Sequence, residues 1–237
     1  MNSLAGRSVV ITRAADQADA TVELVASFDA VPVLVPLLEI VDEPIGMAEL
    51  AALDLADVDW IVVTSPNGAQ RLAPLLDTVS PSPRLAAVGS ATSATLPRCD
   101  LVADTQSALG LLQVFPKGPG RVVVIQAIDA EPTMVRGLIE HGWRVAAISP
   151  YRTVSVTPTT EQQRAALAAD AVLFASGSAV RAWVATFGQR TPPVVVAIGE
   201  QTATAAERAG LKISAISADH SVYGMLVTLS RYFSESN

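Results

Sequence analysis

Hydroxyl and amide side chains recur where apolar segments of the chain give way to segments that favour a helix. Each apolar segment is typical of a buried parallel strand, and the turn after it opens a helix whose first backbone N–H groups lack partners. N–H groups and hydroxyls are all donors, so such turns can bind a carboxylate or another anion. The candidate donors are Thr64, Ser65, Asn67, Ser90, Thr92, Ser176, Ser178 and Thr202. The alternative is that each side chain only caps its helix, but four turns at matching places favour a shared role in binding.

A phenol and a guanidinium are two further candidates. Tyr151 is one of three tyrosines, and a phenol can donate a proton to a leaving hydroxyl or hydrogen-bond to it. The alternative for Tyr151 is simple packing at the end of a strand. Thr12 and Arg13 end the first predicted strand, where a guanidinium can pair with a substrate carboxylate. We prefer Arg13 to Arg152 and Arg181 because the end of a strand points toward the site.

Several familiar chemistries lack the residues they need. No G-x-G-x-x-G follows a predicted strand, and the P-loop pattern is absent, so a nucleotide cofactor is unsupported. His141 and His220 are the two histidines and Cys99 is the one cysteine, which leaves little material for a Ser-His-Asp triad or a metal site. We therefore expect no cofactor and no metal.

Charge and hydropathy narrow the choice of partners. The chain has 16 Lys and Arg against 23 Asp and Glu and contains no basic run, which argues against a nucleic-acid partner. Its longest uncharged stretch runs for 13 residues from Leu85 to Pro97, shorter than the roughly 20 residues of a membrane span. The N-terminal segment lacks the basic and apolar regions of a signal peptide. We expect a cytoplasmic protein with no membrane contact, and a monomer as the simpler state.

The chain contains an internal duplication. Trp60-Ile-Val-Val-Thr-Ser-Pro-Asn-Gly aligns with Ala171-Val-Leu-Phe-Ala-Ser-Gly-Ser-Ala at an offset of 111 residues, and Leu85-Ala-Ala-Val-Gly-Ser-Ala-Thr aligns with Val195-Val-Ala-Ile-Gly-Glu-Gln-Thr at an offset of 110. At an offset of 114, the Val9-Val10-Ile11 run, Pro36, and Ser107 with Gly110 recur as Val123-Val124-Ile125, Pro150, and Ser221 with Gly224. These blocks recur in the same order in both copies, which is not a chance pattern.

Strands alternate with helices in both copies, which predicts an α/β fold. We expect two similar lobes, each a parallel β-sheet flanked by helices in a flavodoxin-like arrangement. A chain of 237 residues that is 50% hydrophobic can fill two cores. Residues 37–43 and 150–157 alternate like strands after a proline in each copy. We expect these two segments to pair as a two-stranded β-ladder that connects the lobes.

A set of short motifs resembles one enzyme family. The motifs are Val9-Val-Ile-Thr-Arg13 with Gln17-Ala18, Thr64-Ser-Pro-Asn-Gly68, Ala87-Val-Gly-Ser-Ala-Thr92, Pro150-Tyr-Arg-Thr153, Phe174-Ala-Ser-Gly-Ser-Ala-Val-Arg181 and Ala197-Ile-Gly-Glu-Gln-Thr202. Together and in this order they resemble the uroporphyrinogen-III synthase family over nearly the whole chain.

The resemblance implies a cofactor-free enzyme of tetrapyrrole synthesis. Such an enzyme closes linear hydroxymethylbilane to uroporphyrinogen III in a cleft between lobes, with inversion of the last pyrrole ring and loss of water. The resemblance also implies a discontinuous first lobe, residues 1–36 with 153–237, and a second lobe of residues 40–149. It places Tyr151 in the position of the family's proposed acid, with the strand-end donors binding the substrate carboxylates.

The sequence leaves two functions open. The first is the synthase, favoured by Tyr151 and the hydroxyl-rich turns. The second is a non-catalytic paralogue that binds a small anionic ligand or acts as a regulatory domain. Gln126-Ala127, which stands where the family often has Arg-Gly, favours the second.

Overall fold

A computed structural model describes residues 3–14, 18–76 and 83–235 of the chain. Two compact units make up the fold: Met1–Glu39 with Val154–Asn237 forms unit 1, and Ile40–Thr153 forms unit 2. Among the described residues, no helix combines the length and the apolar character that crossing a membrane requires.

The first half of the chain contains β1 (Ser8–Ile11), α1 (Asp19–Ser27), β2 (Val31–Leu34), β3 (Leu38–Asp42), α2 (Pro44–Ala51), β4 (Trp60–Val63), α3 (Pro66–Leu76), β5 (Arg84–Ala87), α4 (Ser90–Thr95), β6 (Leu101–Val102) and α5 (Ala108–Val114). The second half contains β7 (Arg121–Ala127), α6 (Thr133–Glu140), β8 (Arg144–Ser155), α7 (Thr160–Ala168), β9 (Ala171–Phe174), α8 (Gly177–Phe187), β10 (Val194–Ala197), α9 (Glu200–Arg208), β11 (Ala215–Ile216) and α10 (Val222–Glu235).

Unit 1 is a parallel sheet in the order β11-β10-β9-β1-β2. Successive residues of β1 point to opposite faces, so Val10 joins one core and Val9 and Ile11 join another. The first core is closed by α7, α8 and α9, and the second by α1 and α10. Burial on both faces explains why the strands of this sheet are continuously apolar.

Unit 2 repeats this plan with one added strand. Its sheet runs β3-β8-β7-β4-β5-β6, and the pairs from β8 to β6 are parallel. One face packs against α2 and α3, with Leu50 and Leu72 fully or almost fully buried, and the other packs against α5 and α6, with Leu111 and Leu138 fully buried. The predicted fold class of two similar parallel α/β lobes is confirmed.

The two sheets draw their strands from both copies of the duplication. In unit 1, β1 and β2 come from the first copy and β9, β10 and β11 from the second, whereas unit 2 has the reverse mixture. The repeat also extends to the helix caps. Gly110 N–H donates to the Ser107 hydroxyl at 3.0 Å, and Gly224 N–H donates to the Ser221 hydroxyl at 2.9 Å. The exchange of strands means that the chain passes between the units twice.

These two passages are the strands β3 and β8. Glu43 N–H donates to the Pro150 carbonyl and Val156 N–H donates to the Leu37 carbonyl, so the two segments run antiparallel. The sequence predicts a strand from Val145 to Ser149 and a separate connector strand over residues 150–157, whereas the structure has the single strand β8. Pro150 does not end the strand because it lies at an irregularity of the ladder, where its missing N–H is tolerated.

Candidate active site

An irregularity in β8 directs the side chain of Tyr151. Ile125 of β7 lies opposite Ile148, and Ala127 lies opposite Tyr151, so three residue steps on β8 match two steps on β7. This β-bulge restores Tyr151 to the sheet face of Ile148, where α3 packs. Without the extra residue, the strict alternation of a strand would turn Tyr151 to the opposite face.

The first turn of α2 packs directly on the bulge. Glu43, which precedes α2, donates its N–H to the Pro150 carbonyl at 2.9 Å. Gly46, in the first turn, leaves no room for a side chain, because a Cβ there would meet the Ser149 carbonyl group and the Pro150 nitrogen. A glycine at this position therefore permits the close approach of helix and strand.

The Tyr151 hydroxyl meets the turn that links β4 to α3. Tyr151 Oη lies 2.5 Å from Ser65 Oγ, and either hydroxyl can be the donor. Ser65 Oγ also accepts the N–H of Gly68 at 3.3 Å and so caps α3. The adjacent Thr64 donates its hydroxyl to the Ile125 carbonyl at 3.3 Å. Tyr151 is only 3% exposed, so the phenol is covered more completely than a residue that opens directly into a cleft.

An arginine and an aspartate complete the surroundings of the phenol. The Arg71 guanidinium carbon lies 5.2 Å from the centre of the Tyr151 ring. Arg71 donates from Nε and Nη2 to one oxygen of Asp42, at 2.8 and 2.6 Å, and from Nη1 to the Asn67 carbonyl at 3.0 Å. The antiparallel register of β3 and β8 puts Asp42 directly opposite Tyr151. Three bonds therefore fix a positive charge near the phenol ring.

The environment of Tyr151 favours the protonated phenol. Burial raises the pKa of Tyr151 above its ordinary value, while hydrogen bonds with Ser65 and Thr64 and the charge of Arg71 act to lower it, and Asp129 acts to raise it. Because burial is the largest effect, the phenol keeps its proton at neutral pH. A protonated phenol with a hydroxyl partner can act as an acid toward a leaving oxygen.

The other predicted donors of unit 2 lie in the first turns of α3 and α4. Asn67 is half-buried in the first turn of α3. Ser90 is exposed at the first residue of α4, and Thr92 is buried two residues later. Since α4 follows β5, the neighbour of β4, both helix starts lie at the carboxyl edge of one parallel sheet.

The predicted donors of unit 1 occupy the equivalent edge of its own sheet. Thr12 is buried, and its hydroxyl is 3.4 Å from the Leu173 carbonyl, whereas Arg13 is exposed. Ser176 caps α8 by accepting the Ala179 N–H at 3.1 Å. The half-buried Ser178 accepts from Arg181 Nη2 at 3.0 Å, and Thr202 is buried in the first turn of α9. The structure thus places Tyr151 with Ser65 and Thr64 in one unit, and these five residues in the other.

Sequence reasoning did not identify Arg71 and Asp42 as parts of the site. Helical spacing offered one signal, because Arg71 lies four residues after Asn67 and hence on the same face of α3. The pairing of the connector strands offered the other, but the sequence alone does not give the register that sets Asp42 opposite Tyr151. Gln126, the departure from the family pattern, is buried, and its Oε1 has no hydrogen-bond partner among the described residues.

In the part of the chain that the structure describes, no cluster of three or more His, Cys, Asp or Glu side chains is placed to hold a metal ion. The groups that surround Tyr151 are hydroxyls, one guanidinium and carboxylates. This arrangement suits acid catalysis and the binding of anions through donors.

Comparison with known proteins gives one consistent result. A family model described as "Uroporphyrinogen-III synthase HemD" matches residues 19–226. The chloroplastic uroporphyrinogen-III synthase of Oryza sativa subsp. japonica is 28% identical over 224 residues, which span 86% of this chain and 73% of that protein.

Solved structures agree on the fold. A mutant uroporphyrinogen III synthase from the extremely thermophilic bacterium Thermus thermophilus matches with a TM-score of 0.63 at 20% identity, covering 97% of this chain and 100% of that chain. The uroporphyrinogen-III synthetase of Helicobacter pylori 26695 matches with a TM-score of 0.62 at 18% identity, covering 94% of this chain and 97% of that chain. At these identities the solved structures show only that the fold is shared. The match to the family model shows to which family the chain belongs.

Proposed function

We propose, because the chain belongs to the uroporphyrinogen-III synthase family, that it converts hydroxymethylbilane to uroporphyrinogen III with inversion of the last pyrrole ring and loss of water. The observation that carries the proposal is the buried phenol of Tyr151, which shares a hydrogen bond with Ser65 at the carboxyl edge of a parallel sheet. The family match disfavours a non-catalytic ligand-binding role.

Tyr151 supplies the proton that the leaving hydroxyl needs. As the C–O bond of the hydroxymethyl group breaks, its electron pair stays with oxygen, and the added proton turns the leaving group into water. The pyrrole ring stabilises the carbon cation that remains. Ring closure on the last pyrrole then depends on holding the two ends of the chain together, which is catalysis by positioning.

The strand-end donors bind the carboxylates of the substrate. In a chain with 16 basic and 23 acidic residues, hydroxyls and unpaired helix N–H groups are suitable ligands for a polyanion. We assign this role, each in its own unit, to Thr12, Arg13, Thr64, Ser65, Asn67, Ser90, Thr92, Ser176, Ser178 and Thr202. No cofactor enters the scheme.

A monomer in the cytoplasm is part of the same proposal. Tyr151, Ser65 and Arg71 come from a single chain, so the acid site needs no second copy. One cysteine cannot form a disulfide within the chain, which suits a reducing compartment. Light scattering on the purified protein tests the first statement, and fractionation of cells of the source organism tests the second.

The decisive assay gives the enzyme freshly made hydroxymethylbilane and separates the products by isomer. We expect uroporphyrinogen III, whereas the uncatalysed reaction gives isomer I. Tyr151→Phe removes the acid and should lower kcat by about 10²-fold or more, as loss of a general acid does. Tyr223→Phe is the matched control, because Tyr223 is 56% exposed on α10. Isomer I alone from the unaltered protein would refute the proposal.

A further inference from the structure

Tyr151, the acid of the proposed reaction, is less accessible than the residues around its phenol, which are Ser65, Thr64, Arg71 and Asp42. Tyr151 is 3% exposed, whereas its hydrogen-bond partner Ser65 is half-buried. The two oxygens are 2.5 Å apart, a short distance even for a bond between two hydroxyls. We propose that Ser65 is a catalytic residue that relays the proton of Tyr151 to the leaving hydroxyl of the substrate. This inference rests on the proposed function, names the path that the proton takes, and gives the Ser65 hydroxyl the relay in place of carboxylate binding, because that hydroxyl has a single hydrogen to donate.

The hydrogen-bond inventory of Ser65 fits a relay. A serine hydroxyl has one donor and two acceptor positions. Ser65 Oγ accepts the Gly68 N–H, and it accepts from Tyr151 when the phenol is the donor. Both acceptor positions are then occupied, so the Ser65 O–H is left to point away from the phenol. Ser65 is half-buried and follows the end of β4, where substrate is proposed to bind.

The alternative direction of the bond does not serve the reaction as well. If Ser65 donates to Tyr151, the phenol proton must go to another acceptor within a buried site. Thr64 is the nearby hydroxyl that affects the phenol. A proton passed to Thr64 would remain on the buried side of the cluster, because Thr64 itself faces the Ile125 carbonyl.

The relay is balanced in protons and electrons. The phenol O–H bond breaks and its proton joins Ser65 Oγ, while the original Ser65 proton moves to the substrate oxygen. The substrate C–O bond breaks with its electron pair on oxygen, so water leaves, Ser65 ends neutral and Tyr151 ends as a phenolate. Arg71, fixed by Asp42 beside the ring, supplies the counter-charge. The proton that the substrate loses when the last pyrrole regains aromaticity returns along the same path.

The test compares Ser65→Ala with Ser65→Thr in single-turnover measurements on hydroxymethylbilane. The alanine variant breaks the path, so its rate of isomer III formation should fall about as far as that of Tyr151→Phe, on the order of 10²-fold. The threonine variant keeps a hydroxyl and should restore most of the rate. The double variant Tyr151→Phe/Ser65→Ala should be no slower than either single variant, because residues that act as one unit are not additive.

Two controls separate the relay from a structural role. Ser107→Ala removes a comparable cap within unit 2, since Ser107 accepts the Gly110 N–H, and it should leave the rate unchanged despite a similar loss of helix stability. In mixtures of light and heavy water, the rate of the unaltered protein should vary quadratically with the deuterium fraction, because two protons move together. A plot of rate against deuterium fraction should therefore be curved. Ser65→Ala should lose that curvature.

Each outcome has one meaning. A Ser65→Ala rate within about threefold of the unaltered protein, beside a slow Tyr151→Phe, would overturn the relay, as would rate losses that multiply in the double variant. If the unaltered protein itself forms no isomer III, the proposed function fails instead. The contact between the two hydroxyls then remains testable by the ultraviolet titration of Tyr151 in Ser65→Ala.

Discussion

Substitution of Gly46 by alanine tests whether the bulge in β8 sets the aim of Tyr151. Gly46 lies in the first turn of α2, against the segment Ser149–Pro150. An added methyl group would lie 2.9 Å from the Pro150 nitrogen and closer still to the Ser149 carbonyl group. Its neighbours are backbone atoms, so no side-chain rotation can make room.

The expected cost follows from the size of that overlap. Carbon contacts are most favourable near about 3.5 Å, so α2 or the bulge must move by about 1 Å. Overpacking of this kind destabilises proteins by about 1–3 kcal/mol, and the better helix propensity of alanine offsets at most about 1 kcal/mol of it. We therefore expect a net loss of about 1–2 kcal/mol in the free energy of unfolding. A movement of about 1 Å at the phenol should also slow the reaction, by as much as about 10²-fold.

Urea unfolding and the isomer III assay measure the two effects on the same samples. Gly177→Ala is the control for stability, because a methyl group there meets Ala205 Cβ at 3.4 Å, an ordinary contact. That variant should be as stable as the unaltered protein or slightly more so. If Gly46→Ala is equally stable and turns over at the unaltered rate, α2 does not hold the bulge, and the account of how Tyr151 is aimed is wrong.

Two further predictions concern charge. Burial raises the pKa of Tyr151, and the charge of Arg71 opposes that rise. Arg71→Met should therefore make the phenol titrate at higher pH in ultraviolet difference spectra, with Tyr151→Phe as the blank. An unchanged titration would show that the guanidinium does not act on the phenol. In unit 1, hydrogen bonds from the Ser8 hydroxyl and N–H lower the pKa of Asp170. The stability that the ionised carboxylate gains from these bonds is complete above its ordinary pKa and is lost as the pH falls through the lowered pKa. Asp170→Asn should therefore lower the free energy of unfolding by about 1 kcal/mol at neutral pH, a modest figure because the side chain is 42% exposed. In acid, the urea midpoint of the variant should approach that of the unaltered protein. A difference between the two midpoints that persists at low pH would contradict this.

The strands were predictable because their burial on both faces leaves a simple signal. Runs such as residues 60–63 and 171–174 are continuously apolar, and the structure has strands with these bounds. The sequence predicts one strand that ends at Ser149 and a connector that begins at Pro150, whereas the structure has the single strand β8. Local sequence does not reveal the bulge, and the need for glycine at position 46 becomes apparent only once α2 is placed against Ser149.

The candidate site was predictable in its residue types and not in its contacts. Tyr151 and Ser65 were both identified, but their hydrogen bond depends on the extra residue of the bulge, which moves Tyr151 to the face of α3. Arg71 and Asp42 were missed because their pairing joins two elements that the sequence separates by 29 positions. Side chains that share a face of one element can be read from periodicity, whereas contacts across elements require the register.

The duplication supplies the scaffold twice and the proposed acid once. Pro36 and Pro150 match in the repeat, so the residue that corresponds to Tyr151 is Leu37. Leu37 is fully buried in a hydrophobic core of unit 1, although Ser176 caps its helix there as Ser65 does in unit 2. A leucine in that position needs no hydrogen-bond partner and has no proton to pass to a serine. The difference between the copies therefore favours a capping role for the repeated serines and leaves the proposed acid, Tyr151, to unit 2. Introducing a tyrosine at position 37 should destabilise unit 1 without adding activity, since a phenol there would have to be buried in a site built for an aliphatic side chain.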